Sequence, residues 1–143
     1  MYTTHYDHDF YAWANEQVAL LRAGSLSQID IENIAEEIAG MGRSEKRELI
    51  HRLAVLLMHL LKWQFQPALR SKSWQSTIKV QRRDLARHLA DNPSLRSIIT
   101  EAIYEAYGNA VITAAGETDL DEETFPETCP YTFSQMMDAG FWP

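Results

Sequence analysis

The chain has 143 residues, 45% hydrophobic and 23% charged, with a formal net charge of −7, which is the balance of a globular chain rather than a disordered one. A chain of this length buries roughly 68–70% of its unfolded surface, so a core can form without metal or disulfide support. The single Cys129 excludes an internal disulfide framework and fits a reducing compartment.

The opening MYTTHYDHDF carries Asp7 and Asp9 and lacks the apolar stretch of a secretory signal. The longest apolar run, Leu53 to Met58, is too short to span a bilayer. A cytoplasmic chain without a membrane segment is therefore expected. Helical spacing dominates, and no alternating run of β-branched residues competes with it. The first helix is expected from about Asp9 to Ala23, with Phe10, Trp13, Ala14, Val18 and Leu21 on one face and Gly24 as its stop. A second should begin after Asp30, carry Ile31, Ile34, Ala35 and Ile38 on one face, and end at Gly40 or Gly42.

Ser44 is the expected cap of a third helix reaching about Phe65. From Leu53 to Leu61 it is apolar almost all round, the pattern of a helix enclosed by others. Gln66-Pro67 breaks it. A fourth helix is expected from about Trp74 to Ala90, with Trp74, Ile78, Gln81, Leu85 and Leu89 inward. Asn92-Pro93 then reads as the cap and first residue of a fifth helix, running to about Ala114. Beyond Gly116, Asp119-x-x-Glu122 and Thr132-x-x-Gln135 have the form of capping boxes. Phe125, Tyr131, Phe133, Phe141 and Trp142 should anchor this last segment over the helices. The expected fold is thus all-α: one domain over residues 1–143, a helical bundle of about five principal helices with a C-terminal segment of short helical turns packed on it.

Several motifs together resemble the small bacterial proteins catalogued as domain of unknown function 29. They are Asp9-Phe10-Tyr11-Ala12-Trp13, Ile34-Ala35-Glu36-Glu37-Ile38, Met41-Gly42-Arg43-Ser44-Glu45, His59-Leu60-Leu61-Lys62-Trp63, Ser73-Trp74, Asn92-Pro93-Ser94-Leu95, and Phe125-Pro126 with Cys129-Pro130-Tyr131. The resemblance spans nearly the whole chain. It implies an all-helical fold and carries no activity with it.

Charge is unevenly spread. Residues 1–42 hold seven acids and Arg22 alone, residues 43–87 hold eleven bases against three acids, and residues 88–143 hold ten acids and Arg96. In the basic centre Lys79, Arg83 and Arg87 recur every four residues and form one helical stripe. Arg70, Ser71, Lys72 and Ser73 precede the same helix, where free backbone N–H groups favour an anion. These bases either form a solvated face, pair with the acidic flanks, or bind a partner.

The leading functional expectation is a non-enzymatic binding or regulatory module. Its contact residues are Trp63, Arg70, Lys72, Ser73, Trp74, Lys79, Arg83 and Arg87, and its partner is a protein or an anionic ligand. Nucleic acid is disfavoured by the net negative charge. The alternative is an enzyme of hydrolytic type, with Glu36, His59 and Arg82 as catalytic groups beside Trp63, which requires those side chains to converge. The plainer reading of His59 is a core histidine satisfied by Glu36 or a backbone carbonyl. A structural subunit of a homodimer is the third option. Glu48-x-x-His51, His5-x-x-His8 and Asp84-x-x-x-His88 lack the further ligands of a metal centre, and Cys129 has no histidine near it in sequence. No phosphate loop, dinucleotide glycine pattern or nucleophile elbow occurs, so neither metal nor cofactor is expected.

Overall fold

Seen in a computed structural model that describes residues 6–143, capping chemistry and proline positions divide the described residues, after a helical turn at 6–8, into four long helices and one short one. They are α1 (Phe10–Arg22), α2 (Ile31–Phe65), α3 (Lys72–Asp91), α4 (Ile99–Glu117) and α5 (Phe133–Met137), with no strand among the described residues. Each boundary has a local cause. Asp9 caps α1 by accepting from the Ala12 amide. At the other end Gly24 has φ +74, and the Gly24 and Ser25 amides bond back to Leu21 O and Leu20 O, closing the helix in a Schellman motif that needs a left-handed residue. Pro67 follows α2, and Ser71 caps α3 through the Trp74 amide.

Two expected boundaries are absent. The helices anticipated over 31–42 and 44–65 are one continuous 35-residue helix. Gly40 and Gly42 both keep negative φ. Each costs about 1 kcal/mol relative to alanine, too little to break a helix when Glu36, Glu37, Met41, Lys46 and Arg47 around them favour it and Arg43 pairs with Glu36 two turns back. After Asn92, Pro93–Ile98 is a 3₁₀ stretch and α4 starts only at Ile99. The Asn92 side chain turns back to His88 O and Glu45 instead of capping forward.

The chain forms two compact units, Met1–Ser44 and Glu45–Pro143, with α2 contributing to both. In the first, α1 and the start of α2 form a hairpin closed by a polar knot. The Trp13 indole N–H donates to Asp30 Oδ2 at 3.0 Å, the Asp30 amide donates to Gln17 Oε1 at 2.8 Å, and the Asn33 amide group donates to Asp30 Oδ2 at 2.8 Å. Desolvation acts to raise the Asp30 pKa, but the donors from Asn33 and Trp13 outweigh it and hold the carboxyl below its ordinary range.

The second unit is a helical bundle around the C-terminal half of α2. Leu49, Leu53, Leu56, Leu57, Leu60 and Leu61 are fully buried against Ile78 and Leu85 of α3 and Ala102, Ala106 and Ala114 of α4. The C-terminal segment completes this core with Phe125, Tyr131 and Met136, as Phe125 meets Phe65 edge-on and Trp142 meets Trp63. Phe133, Phe141 and Trp142 are partly buried against the same core. The Thr132–Gln135 capping box forms at α5. The one expected at Asp119 does not, because the turn Glu122–Thr124 follows Asp121 instead and the Leu120 amide is taken by the Thr118 hydroxyl.

Candidate functional site

The basic segment over residues 70–87 separates into side chains that hold the fold and side chains that face out. Arg70 donates to Trp63 O at 2.7 Å and Pro143 O at 3.2 Å and stacks on the Trp63 ring. Arg82, 6% exposed, donates through Nε to Met136 O and through Nη2 to Phe141 O, both at 2.7 Å, and lies over Trp142. Both arginines thereby fasten the C-terminal segment to the bundle. Trp74 receives the Lys62 ammonium over its ring, while Lys62 itself pairs with Glu117 at 2.9 Å.

The outward group is Lys72, Ser73, Lys79, Arg83 and Arg87, all exposed. Lys72, Lys79 and Arg87 make no ion pair or side-chain hydrogen bond among the described residues, and Arg83 meets only its neighbour Asp84 at 3.6 Å. The bases that do pair with acids of residues 88–143 lie on α2: Lys46 with Glu101 at 2.8 Å, and Lys62 with Glu117.

On the same helix is a pocket of about 380 Å³ walled by Lys79, Arg82, Arg83 and Ala139. Three of its four walls are cations because positions 79, 82 and 83 share one face of α3. Arg82 Nη1 is buried there without a hydrogen-bond partner. Desolvation lowers the Arg82 pKa, and the nearby Asp138 carboxylate acts against that shift. The expected catalytic role of Arg82 is replaced by a place in this pocket, for which the 79, 82, 83 spacing is a sequence signal and Ala139 carries none.

The residues of the expected catalytic pocket have separate partners. Glu36 pairs with Arg43 at 3.0 Å. His59 Nδ1 lies 2.8 Å from Val55 O, and since a carbonyl only accepts, Nδ1 carries the proton. Burial pushes the His59 pKa down and favours the neutral ring. His59 is thus a half-buried histidine satisfied by a backbone carbonyl, with Val55 rather than Glu36 as acceptor. About six turns of α2 separate Glu36 from His59. Trp63 and Arg82 serve the C-terminal segment as described.

The other leads resolve into structure. Glu48 and His51 have different neighbours: Glu48 accepts from Arg52 at 3.3 Å and lies 2.9 Å from His88 Nδ1, and His51 lines a surface groove with Arg47 and Glu105. His88, 6% exposed, also places Nε2 2.9 Å from Glu45 O, so it bridges α3 to α2 from within the bundle. His88 stands at inward spacing from Gln81 and Leu85, but the Glu45 carbonyl that makes its burial tolerable lies 43 residues away and leaves no mark on the helix. His5 lies outside the described residues. Burial pushes the Cys129 thiol up, away from a reactive thiolate.

No curated protein and no solved structure matches the chain. The family model described as Domain of unknown function DUF29 matches residues 5–142. With the match running almost from end to end, the chain belongs to the DUF29 family.

Proposed function

We propose that the protein is a non-enzymatic binding module whose outward basic face on α3, made by Lys72, Lys79, Arg83 and Arg87, docks an acidic segment of a partner protein. The observation that carries this reading is the pocket walled by Lys79, Arg82 and Arg83 beside two further bases with no internal acid to neutralise them. Exposed cations on one helical face, with only Arg83 meeting an acid, Asp84, favour an anionic surface, and their contribution falls as salt screens it. The net charge of −7 opposes a long nucleic-acid backbone and leaves a short acidic segment as the better fit.

The test is titration of a Glu/Asp-rich peptide into the full chain by calorimetry, at low and at physiological salt. Replacing Lys79, Arg83 and Arg87 by Glu should weaken binding by at least about ten-fold, about 1.4 kcal/mol, with an unchanged circular dichroism spectrum. Equal binding by the reversed-charge protein would overturn the reading.

A further inference from the structure

The N-terminal hairpin holds a second surface, independent of the basic face. Between α1 and the first three turns of α2 runs a groove of 360 Å³. Its walls are Phe10, Val18 and Leu21 from α1 and Ile38 and Met41 from α2, with exposures between 42% for Val18 and 62% for Met41. Its floor is Trp13 and Gln17, both almost fully buried. Two parallel ridges of large apolar side chains with a channel between them are the shape that receives a third helix. A contiguous apolar patch of this kind is uncommon on a surface that meets only water. The floor also has an unmet polar group: Gln17 Oε1 accepts from the Asp30 amide, but Gln17 Nε2 is buried with no partner.

Charge selects the occupant. Residues 6–44 carry seven acids against Arg22 and Arg43, and Arg43 is already paired with Glu36. Glu37 stands in the wall of the groove itself and accepts from the Tyr6 hydroxyl. A second copy would bring the same acidic hairpin against this one, at a repulsive cost, whereas a cationic partner gains from the field. We infer that the groove docks a cationic amphipathic helix of another protein, with its apolar stripe between Phe10 and Met41 and its basic flank toward Glu37.

The probe is a synthetic Leu/Lys peptide of about 18 residues with leucine at helical spacing. A Leu/Glu peptide of the same pattern and a Ser/Lys peptide of the same charge serve as controls. With the full chain, amide NMR shifts on adding Leu/Lys peptide should concentrate at Phe10, Val18, Leu21, Ile38 and Met41. Affinity should exceed that of either control by at least about ten-fold. Leu21→Ser with Ile38→Ser should erase that advantage. Because both side chains are already substantially exposed, helicity should be retained, and the shift map on the unsubstituted protein tests the site even if it is not. Equal binding of the Ser/Lys peptide would reduce the effect to net charge and overturn the proposal. So would equal binding of the Leu/Glu peptide, or shifts centred outside the hairpin. Concentration-dependent dimerisation abolished by Ile38→Ser would overturn it in favour of a second copy.

Discussion

The N-terminal hairpin and the C-terminal bundle use the same apolar alphabet with opposite results. In the hairpin, among the described residues, only Trp13 and Gln17 are buried, while Phe10, Val18, Leu21, Ile38 and Met41 remain open. In the bundle the leucines of the same long helix, from Leu49 to Leu61, are closed to solvent completely. Two helices in contact can cover only one face of each other. A helix with α3, α4 and an aromatic C-terminal segment around it is covered over most of its circumference, with Val55 and His59 left half-buried. The hairpin is accordingly held by its polar knot at Asp30 and its caps, and the bundle by packing.

The contrast can be broken most severely in the bundle. Leu57→Ala should cost about 2–5 kcal/mol, the range for a truncated core leucine, in chemical denaturation. Ile38→Ala in the open groove should stay within about 0.5 kcal/mol. Similar losses at the two sites would mean that the groove is filled in solution. A smaller effect is expected where the C-terminal segment is fastened. Arg82→Gln removes charged hydrogen bonds to Met136 O and Phe141 O and should cost about 1.5–3 kcal/mol. Amide exchange over residues 133–141 should then rise before that of α2. Uniform acceleration throughout the bundle would show that the segment does not open separately.

A smaller loss than at Arg82 is expected at the polar knot of the hairpin. Asp30 has its pKa lowered in the folded state, so its contribution is complete above the ordinary carboxylate pKa and is lost as pH falls through the lower folded value. The Trp13 indole N–H resonance should follow that titration with a midpoint below about 3.9. Asp30→Ala should flatten the curve and cost on the order of 1 kcal/mol, as expected when the side chain that accepts from the Asn33 amide at the start of α2 is lost. A midpoint at or above the ordinary value would remove the knot from the account.

Much of this architecture was legible from local chemistry. Gly24, Pro67 and Ser71 act where they stand, and the run from Leu53 to Leu61 announces a helix enclosed on all sides. Gly40 and Gly42 misled because a glycine ends a helix only where a left-handed turn is available and the following residues do not favour continuing it. On α3 the inward face was read as Trp74, Ile78, Gln81, Leu85 and Leu89, yet Arg82 and His88 are buried with Ile78, Leu85 and Leu89. Hydropathy cannot place such residues, because a charged side chain enters a core only when acceptors await it. Here those acceptors are Met136 O, Phe141 O, Glu45 O and Glu48, supplied by distant parts of the chain.

By itself, then, the sequence determined the helical class, most helix boundaries, the central apolar helix and the basic stripe on α3, because these depend on periodicity and on groups a few residues apart. Tertiary structure alone decided which bases fasten the C-terminal segment and which face out, and that the apolar stripe of the hairpin stays open. Each of those outcomes depends on which groups from remote positions arrive to accept a hydrogen bond or exclude water, and helical spacing carries no record of that.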